Sequence, residues 1–428
     1  MLDLKFIREN PDLVRKGIAH KNEMGDVDRI LSLDEKRRER LQQVETLKHE
    51  RNLLSGEVSR LKKEGKNTSA VILKTREIGA KIKALDTELK EIQAELNDAL
   101  DRIPNLPHQS VPIGKNAAEN VPVRSWGTPP EFDFSISDHL EIGERLDIFD
   151  FSRGSKISGR GFPVYKGKGA QLERALINFM LDTHVRNHGY TEIFPPFMVN
   201  RESMRGTGQL PKMEEDMYYC ERDDLFLIPT AEVPVTNLHR REVLTAEDLP
   251  KKYCAFTACF RREAGSWGKD TRGFLRLHQF NKVELVKLVK PEDSYRELEL
   301  LLADACELLE MLGLHYRIIE LCSGDLSFAA AKCYDIEVWS PAEQNWLEVS
   351  SCSNFEDFQA RRMNVRFRRE PAARPEFIHT LNGSGLATPR LIVALLETYQ
   401  TDEGSVMVPE VLRPYTGFSK ITRESFSR

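Results

Sequence analysis

The sequence predicts an α+β protein: an N-terminal antiparallel helical coiled-coil hairpin, then a larger domain with a mainly antiparallel sheet flanked by helices. Three observations predict it. Residues 30–103 contain no proline and carry apolar residues three and four apart, the spacing of a coiled-coil seam. A proline-rich stretch follows between 104 and 130, the composition of a linker. Beyond about residue 135, many strand-like runs are broken by few helices, which fits an antiparallel sheet better than repeated βαβ units.

The hairpin comes first. Ile30, Leu33, Val44, Leu47, Leu54, Val58 and Leu61 form the seam of one arm, and Ile78, Ile82, Leu85, Leu89, Ile92, Leu96 and Ile103 that of the other. GKNTS (Gly65–Ser69) makes the turn. Arms of about 30–64 and 69–103 at 1.5 Å per residue are each about 45 Å long, too thin to hold a catalytic core. At the turn, Arg60, Lys62, Lys63, Lys66, Lys74 and Arg76 face Glu64 as the one acid between residues 60 and 76. The solvated end of a dimerising coiled coil accounts for that tip, and so does an arm reaching for a phosphate backbone. These segments divide the chain into residues 1–105, a linker over 106–130 leading into the second domain, and residues 131–428.

In the second domain, GAQLERALINFMLDTHVRNHG (169–189) has helical spacing closed by glycine. YTEIFPPFMV (190–199), LFLIPTAEVP (225–234), YCAFTACFRRE (253–263) and FNKVELVKLV (280–289) read as strands. SYRELELLLADACELLEMLG (294–313) is an amphipathic helix, YDIEVWSP and NWLEVSSCSNF (334–355) are two strands, and TPRLIVALLETYQ (388–400) is a last helix.

The bulk numbers exclude several classes. Net charge is -5 over 428 residues, so a polyanion site has to be local. The seven cysteines are irregularly spaced without a CxxC pair, against a disulfide framework or a zinc knuckle. The N-terminus lacks an apolar signal segment, and no run approaches the roughly 18 apolar residues of a membrane span. The expectation is a soluble, cytoplasmic protein.

The chemistry concentrates in FRREAGSWGKDTRGFLRLHQFNKVE (260–284). It carries four arginines and two lysines, bracketed by Glu263 and Glu284. On a strand, Arg261 and Glu263 share one face, as do Phe280 and Glu284 on the next. Lys269, Arg272 and Arg276 lie in the glycine-containing loop between. Arginine suits a phosphate, a phenyl ring a base, and a carboxylate an ammonium or hydroxyl. An ion-paired sheet surface also fits these residues. IPTAEVP (228–234) places Thr230 and Glu232 on one face of a further strand. WLEVSSCSNFEDFQARR offers Glu348 with Ser350 and Ser351. Glu348 and Ser351 suit a hard cation such as Mg²⁺, but they fall on opposite faces of a regular strand, so joint use needs a bulge or the strand's end. LNGSGLATPR is a glycine-rich turn into a helix, whose N-terminus with Arg390 favours an anion; a capped helix with a surface arginine fits it as well. There is no P-loop, no Rossmann context for GSG, and no nucleophile elbow.

In chain order, PTAEVP, FRREAGSWGKDTRGFLRLHQFNKVE, LEVSSCSNFEDFQARR and NGSGLATPR behind a helical hairpin resemble the bacterial-type seryl-tRNA synthetase family over essentially the whole chain. The resemblance implies a class II aminoacyl-tRNA synthetase catalytic domain over 131–428, with YTEIFPPFMV at a homodimer interface. It implies Arg261, Glu263, Glu348 and Arg390 as catalytic residues. It implies Arg261, Arg262, Glu263, Phe280, Glu348, Val349, Ser350, Ser351 and Arg390 around ATP, with Mg²⁺ on Glu348 and Ser351. Thr230, Ala231, Glu232, Arg261, Glu284, Asn382 and Ser384 match the serine pocket. The arm, with Arg60, Lys62, Lys63, Lys66, Lys74 and Arg76, would grip the long variable arm of tRNA(Ser), with tRNA(Sec) open as a second acceptor. Departures are small: Trp267 replaces a smaller residue and Arg262 a frequent serine. The rivals are a paralogue charging another acceptor, or a synthetase-derived RNA-binding or coiled-coil interaction protein without catalysis. The arm speaks against the first. Arg261, Glu348 and Arg390 speak against the second.

Overall fold

The computed structural model describes residues 1–263 and 272–423. The chain forms two compact units: Met1–Ala19 with Glu23–Pro104, and His20–Asn22 with Asn105–Arg428.

The first unit is built on two long helices, α1 (Val27–Lys63) and α2 (Ser69–Asp101). Asp26 caps α1 by accepting from the Arg29 N–H. Val44, Ile78 and Ile82 are buried between the helices, with Leu47, Leu54, Leu85 and Leu89 packed around them. This is the predicted seam. Toward the turn that seam thins, and all six basic tip residues are exposed. Arg60 and Lys66 flank Glu64, and Lys74 pairs across the hairpin with Glu50 at 2.9 Å.

The second unit carries an eight-stranded sheet. Its strands are β1 (Val121–Trp126), β2 (Thr191–Glu192), β3 (Lys251–Phe260), β4 (Gln279–Val289), β5 (Tyr316–Glu320), β6 (Lys332–Ser340), β7 (Asn345–Asn354) and β8 (His379–Ala387). The order is β1-β5-β6-β7-β8-β4-β3-β2. All neighbours are antiparallel except β2 and β3. Helices α3 (Lys168–Arg186), α6 (Ser294–Met311) and α8 (Thr388–Thr398) bury the large apolar core with strand residues such as Val283, Leu285, Ile336 and Cys352. The opposite strand face bears the site's polar residues beside a second apolar cluster that includes Val286 and Leu288. Around it lie three short helices, α4 (Arg201–Thr207), α5 (Glu232–Thr236) and α7 (Phe358–Met363).

Several expectations are corrected. The proline-rich segment contributes edge strand β1 rather than only linking domains. YTEIFPPFMV splits into β2 and a second short strand, Met198–Asn200, because Pro195 and Pro196 cannot donate to a ladder. LFLIPTAEVP ends as a strand at Leu227, and Glu232 opens helix α5. There the Thr230 hydroxyl accepts the Glu232 N–H at 3.2 Å, a side-chain turn that bends the chain. Thr230 and Glu232 therefore share no strand face. β3 stops at Phe260, and Glu263 has φ +51°, so Arg261 and Glu263 do not alternate along a strand. NGSGLA is not a turn but the end of the central strand β8. Its glycines answer to crowding between layers. A Cβ on Gly383 would sit 2.4 Å from Leu301, and one on Gly385 2.5 Å from the His184 ring.

Candidate active site on the sheet face

Register places the site residues on one face. Across β4 and β3, Phe280 opposes Cys259, Lys282 opposes Thr257 and Glu284 opposes Ala255. Residues two apart share a face, so Phe280, Lys282 and Glu284 form one row. On the other side Glu284 pairs with Ser384, and Asn382 pairs with Ser353 of β7. Ser353 is two residues from Ser351, which opposes Asp335. Between Ser351 and Glu348 the register slips by one residue: Ser350 opposes Ile336, while Glu348 opposes Glu337. Asp335 and Glu337 share a face, so this bulge brings Glu348 and Ser351 together. Of the two arrangements that would let them meet, a bulge or the strand's end, β7 has the bulge.

One half of the row is a buried ionic pocket. Glu284 is 2% exposed. It accepts from the Thr230 hydroxyl at 2.9 Å and is ion-paired with Lys282, which also donates to Thr230 at 2.9 Å. Ala231 is fully buried beside Thr230. Glu232, also buried, accepts from Gln359 Nε2 at 2.7 Å. Burial and the Glu284 charge push Glu232 up to about 7, while hydrogen bonds from Gln359 and Asn382 and the Lys282 charge pull it back. Asn382 and Ser384 are buried at the pocket margin.

The other half is more open. Arg261 lies over the Phe280 ring, 5.2 Å from its centroid. Glu263 is turned aside and pairs with Arg276 at 2.8 Å, which ties the two ends of the loop together. Arg390, in the first turn of α8, donates to the Glu348 carbonyl at 3.0 Å and the Leu275 carbonyl at 3.2 Å. Its Nη1 lies 3.5 Å from the Glu348 carboxylate. Asp335 is held well above the usual carboxylate range by burial and then by the Glu348 charge.

Some predicted residues are not gathered here. Arg262 is exposed, and its N–H donates to the Asp216 carbonyl. Val349 is a core side chain, and the Ser350 hydroxyl donates to the Ser384 carbonyl at 2.7 Å. Trp267 and Lys269 lie outside the described residues. Sequence reasoning missed Lys282, Asp335 and Gln359. The alternation Phe280, Lys282, Glu284 could have found the lysine. Asp335 needed the register, and Gln359, though inside LEVSSCSNFEDFQARR, has no local spacing that ties it to Glu232.

Residues 1–107 match the model of the seryl-tRNA synthetase N-terminal domain. Residues 217–399 match the class II tRNA synthetase core domain of the G, H, P, S and T enzymes. A serine–tRNA ligase from Carboxydothermus hydrogenoformans is 56% identical over 424 residues, covering 99% of this chain and 100% of that protein. The chain belongs to the seryl-tRNA synthetase family. It is thus a class II aminoacyl-tRNA synthetase, a serine–tRNA ligase. Solved seryl-tRNA synthetases share its fold. The Pyrococcus horikoshii enzyme, complexed with ATP, superposes with a TM-score of 0.93 at 39% identity, covering 99% of this chain and 100% of that one. The cytoplasmic enzyme of Naegleria fowleri, in complex with AMP, gives 0.87 at 30% identity, with 99% of each chain covered. Among the described residues no helix is long and apolar enough to cross a membrane.

Proposed function

We propose that the sheet face binds ATP and L-serine side by side, makes seryl-adenylate, and passes serine to the 3′ end of tRNA(Ser). The observation that carries this is the single row of side chains. The arginine–phenyl pair Arg261–Phe280 continues directly into the buried Lys282–Glu284–Thr230 pocket.

Phe280 offers a stacking face to adenine, and Arg261 a fork for the α-phosphate. Arg390 sits at the opposite rim for the terminal phosphates. Glu263, held by Arg276, supports the loop near the adenine. Glu284 and its register partner Ser384 engage the serine hydroxyl, while Glu232, with Asn382 beside it, holds the ammonium. Thr230 and Ala231 line the pocket. A serine carboxylate oxygen attacks the α-phosphorus; the new P–O bond forms as the bond to pyrophosphate breaks. In the second step a tRNA ribose hydroxyl attacks the seryl carbonyl, loses its proton, and AMP departs. No side-chain nucleophile is required, so the protein contributes positioning and charge stabilisation.

The donor set fits a hard cation. The bulge puts Glu348 and Ser351 on the face of Asp335, whose carboxyl is pushed up by burial and then by the Glu348 charge, so the cluster holds acid oxygens and a hydroxyl that a cation would suit. Glu348 and Ser351 would hold Mg²⁺, which supplies charge neutralisation to the triphosphate. The exposed tip cations, Arg60, Lys62, Lys63, Lys66, Lys74 and Arg76, suit the long variable arm of tRNA(Ser), and tRNA(Sec) remains a second acceptor to test. A homodimer through the segment around Phe194, which is 78% exposed, completes the reading, with the cytoplasm as its place.

ATP–pyrophosphate exchange with each of the twenty amino acids, without tRNA, tests this. Exchange with serine alone is expected. Folded protein that exchanges with none of them overturns the site assignment.

A further inference from the structure

Gln359 lies within LEVSSCSNFEDFQARR, where the sequence suggests no role for it, yet three hydrogen bonds hold its amide inside the protein. It lies on α7 and is 1% exposed. Nε2 donates to the Thr207 carbonyl at 3.1 Å and to the Glu232 carboxylate at 2.7 Å, while Oε1 accepts from the Thr380 hydroxyl at 2.7 Å. An amide's nitrogen and oxygen look alike in shape, but a carbonyl can only accept. Thr207 therefore fixes which end carries the N–H groups. Its carbonyl ends α4, where the helix offers no partner of its own. With one N–H held there and Oε1 held by Thr380, the second N–H is aimed at Glu232.

Glu232 needs such help. From β4 it is faced by Glu284 and Lys282, from β8 by Asn382, and from α7 by Gln359. Burial and Glu284 favour the neutral acid, which holds an ammonium poorly. Lys282 opposes them, but it is already committed to Glu284 and Thr230. We propose that Gln359 is a positioning residue for serine: its fixed amide favours the charged form of the Glu232 carboxylate and points it at the substrate ammonium. This rests on Glu232 being the ammonium ligand.

The test is ATP–pyrophosphate exchange by the full chain, with serine and ATP varied separately across about pH 6 to 8.5. Gln359→Leu keeps the volume and removes the donor. It is expected to raise the serine KM roughly tenfold near neutral pH, with the ATP KM unchanged. The deficit should shrink as pH rises, because a Glu232 deprived of a donor still ionises at higher pH. A merely structural role would not give a pH-dependent KM defect confined to serine. Thr380→Val, which frees the amide to turn, should give the same change to a smaller extent and serves if Gln359→Leu folds poorly. Glu232→Ala run in parallel separates the two ideas. If it raises the serine KM while Gln359→Leu and Thr380→Val leave it within about twofold, the role of Gln359 is overturned and that of Glu232 stands. If Glu232→Ala leaves the serine KM unchanged, the ammonium assignment itself falls. Equal losses for ATP and serine in both the Gln359 and Thr380 variants also overturn the inference.

Discussion

Glu284→Gln tests whether the buried carboxylate reads the serine hydroxyl. The substitution keeps the shape and an oxygen that can accept from Thr230. It removes the charge that faces Lys282 and would receive the substrate hydroxyl. A hydrogen bond to a charged group is worth about 1.5–3 kcal/mol, so serine kcat/KM in ATP–pyrophosphate exchange should fall roughly 10–150-fold. The ATP KM should not move, since Phe280 and Arg261 are untouched. Discrimination against alanine should also weaken, because a neutral amide left unpaired by the wrong substrate costs less than a carboxylate left unpaired. Stability needs its own control. Lys282 is 7% exposed and would lose its paired charge while still donating to Thr230, and breaking a buried ion pair can cost about 3–5 kcal/mol. The double variant Glu284→Gln with Lys282→Met removes the stranded charge. Urea unfolding should show stability recovered in the double variant while serine activation stays low. A folded Glu284→Gln enzyme with serine kcat/KM within about threefold of normal would refute the assignment.

Three other outcomes are expected. Deleting Asp34 to Leu100 should abolish tRNA charging but spare serine-dependent exchange; loss of both would mean that the arm serves folding or dimerisation. Replacing Lys62, Lys63 and Lys66 with glutamate should raise the tRNA KM and flatten its salt dependence, without changing adenylate formation. Glu173 is buried, and burial pushes it up to about 7 against the hydrogen bonds from Thr388 and Asn281. Its folded-state affinity for the proton exceeds the unfolded one, so this group's stabilisation is present in acid and is lost as pH rises from about 4.5 through 7. That difference amounts to roughly 3 kcal/mol, and Glu173→Gln should flatten the loss in urea unfolding measured across that window.

What could be read in the sequence was whatever depends on neighbours a few residues apart. The hairpin seam was legible because Val44, Ile78 and Ile82 sit at heptad spacing, and their burial follows from that spacing alone. Phe280 and Glu284 were legible for the same reason, by alternation along one strand. What failed was set by contacts far along the chain. The glycines of NGSGLA carry the usual mark of a turn, but Leu301 and His184, packed from two helices, make them a necessity of a central strand. Thr230 and Glu232 looked like alternating strand residues until a proline-flanked turn placed Glu232 at the head of a helix. The pocket then joins Thr230 to Glu284 across 54 residues and Glu232 to Gln359 across 127. The bulge in β7 shows the boundary between these cases. The need for a bulge or a strand end followed from chemistry, since Glu348 and Ser351 could not meet along a regular strand. The location of the bulge required the pairing with Asp335 and Glu337 on the neighbouring strand. A functional hypothesis can therefore specify a local distortion before the fold is known, and the cross-strand register decides whether the distortion is there.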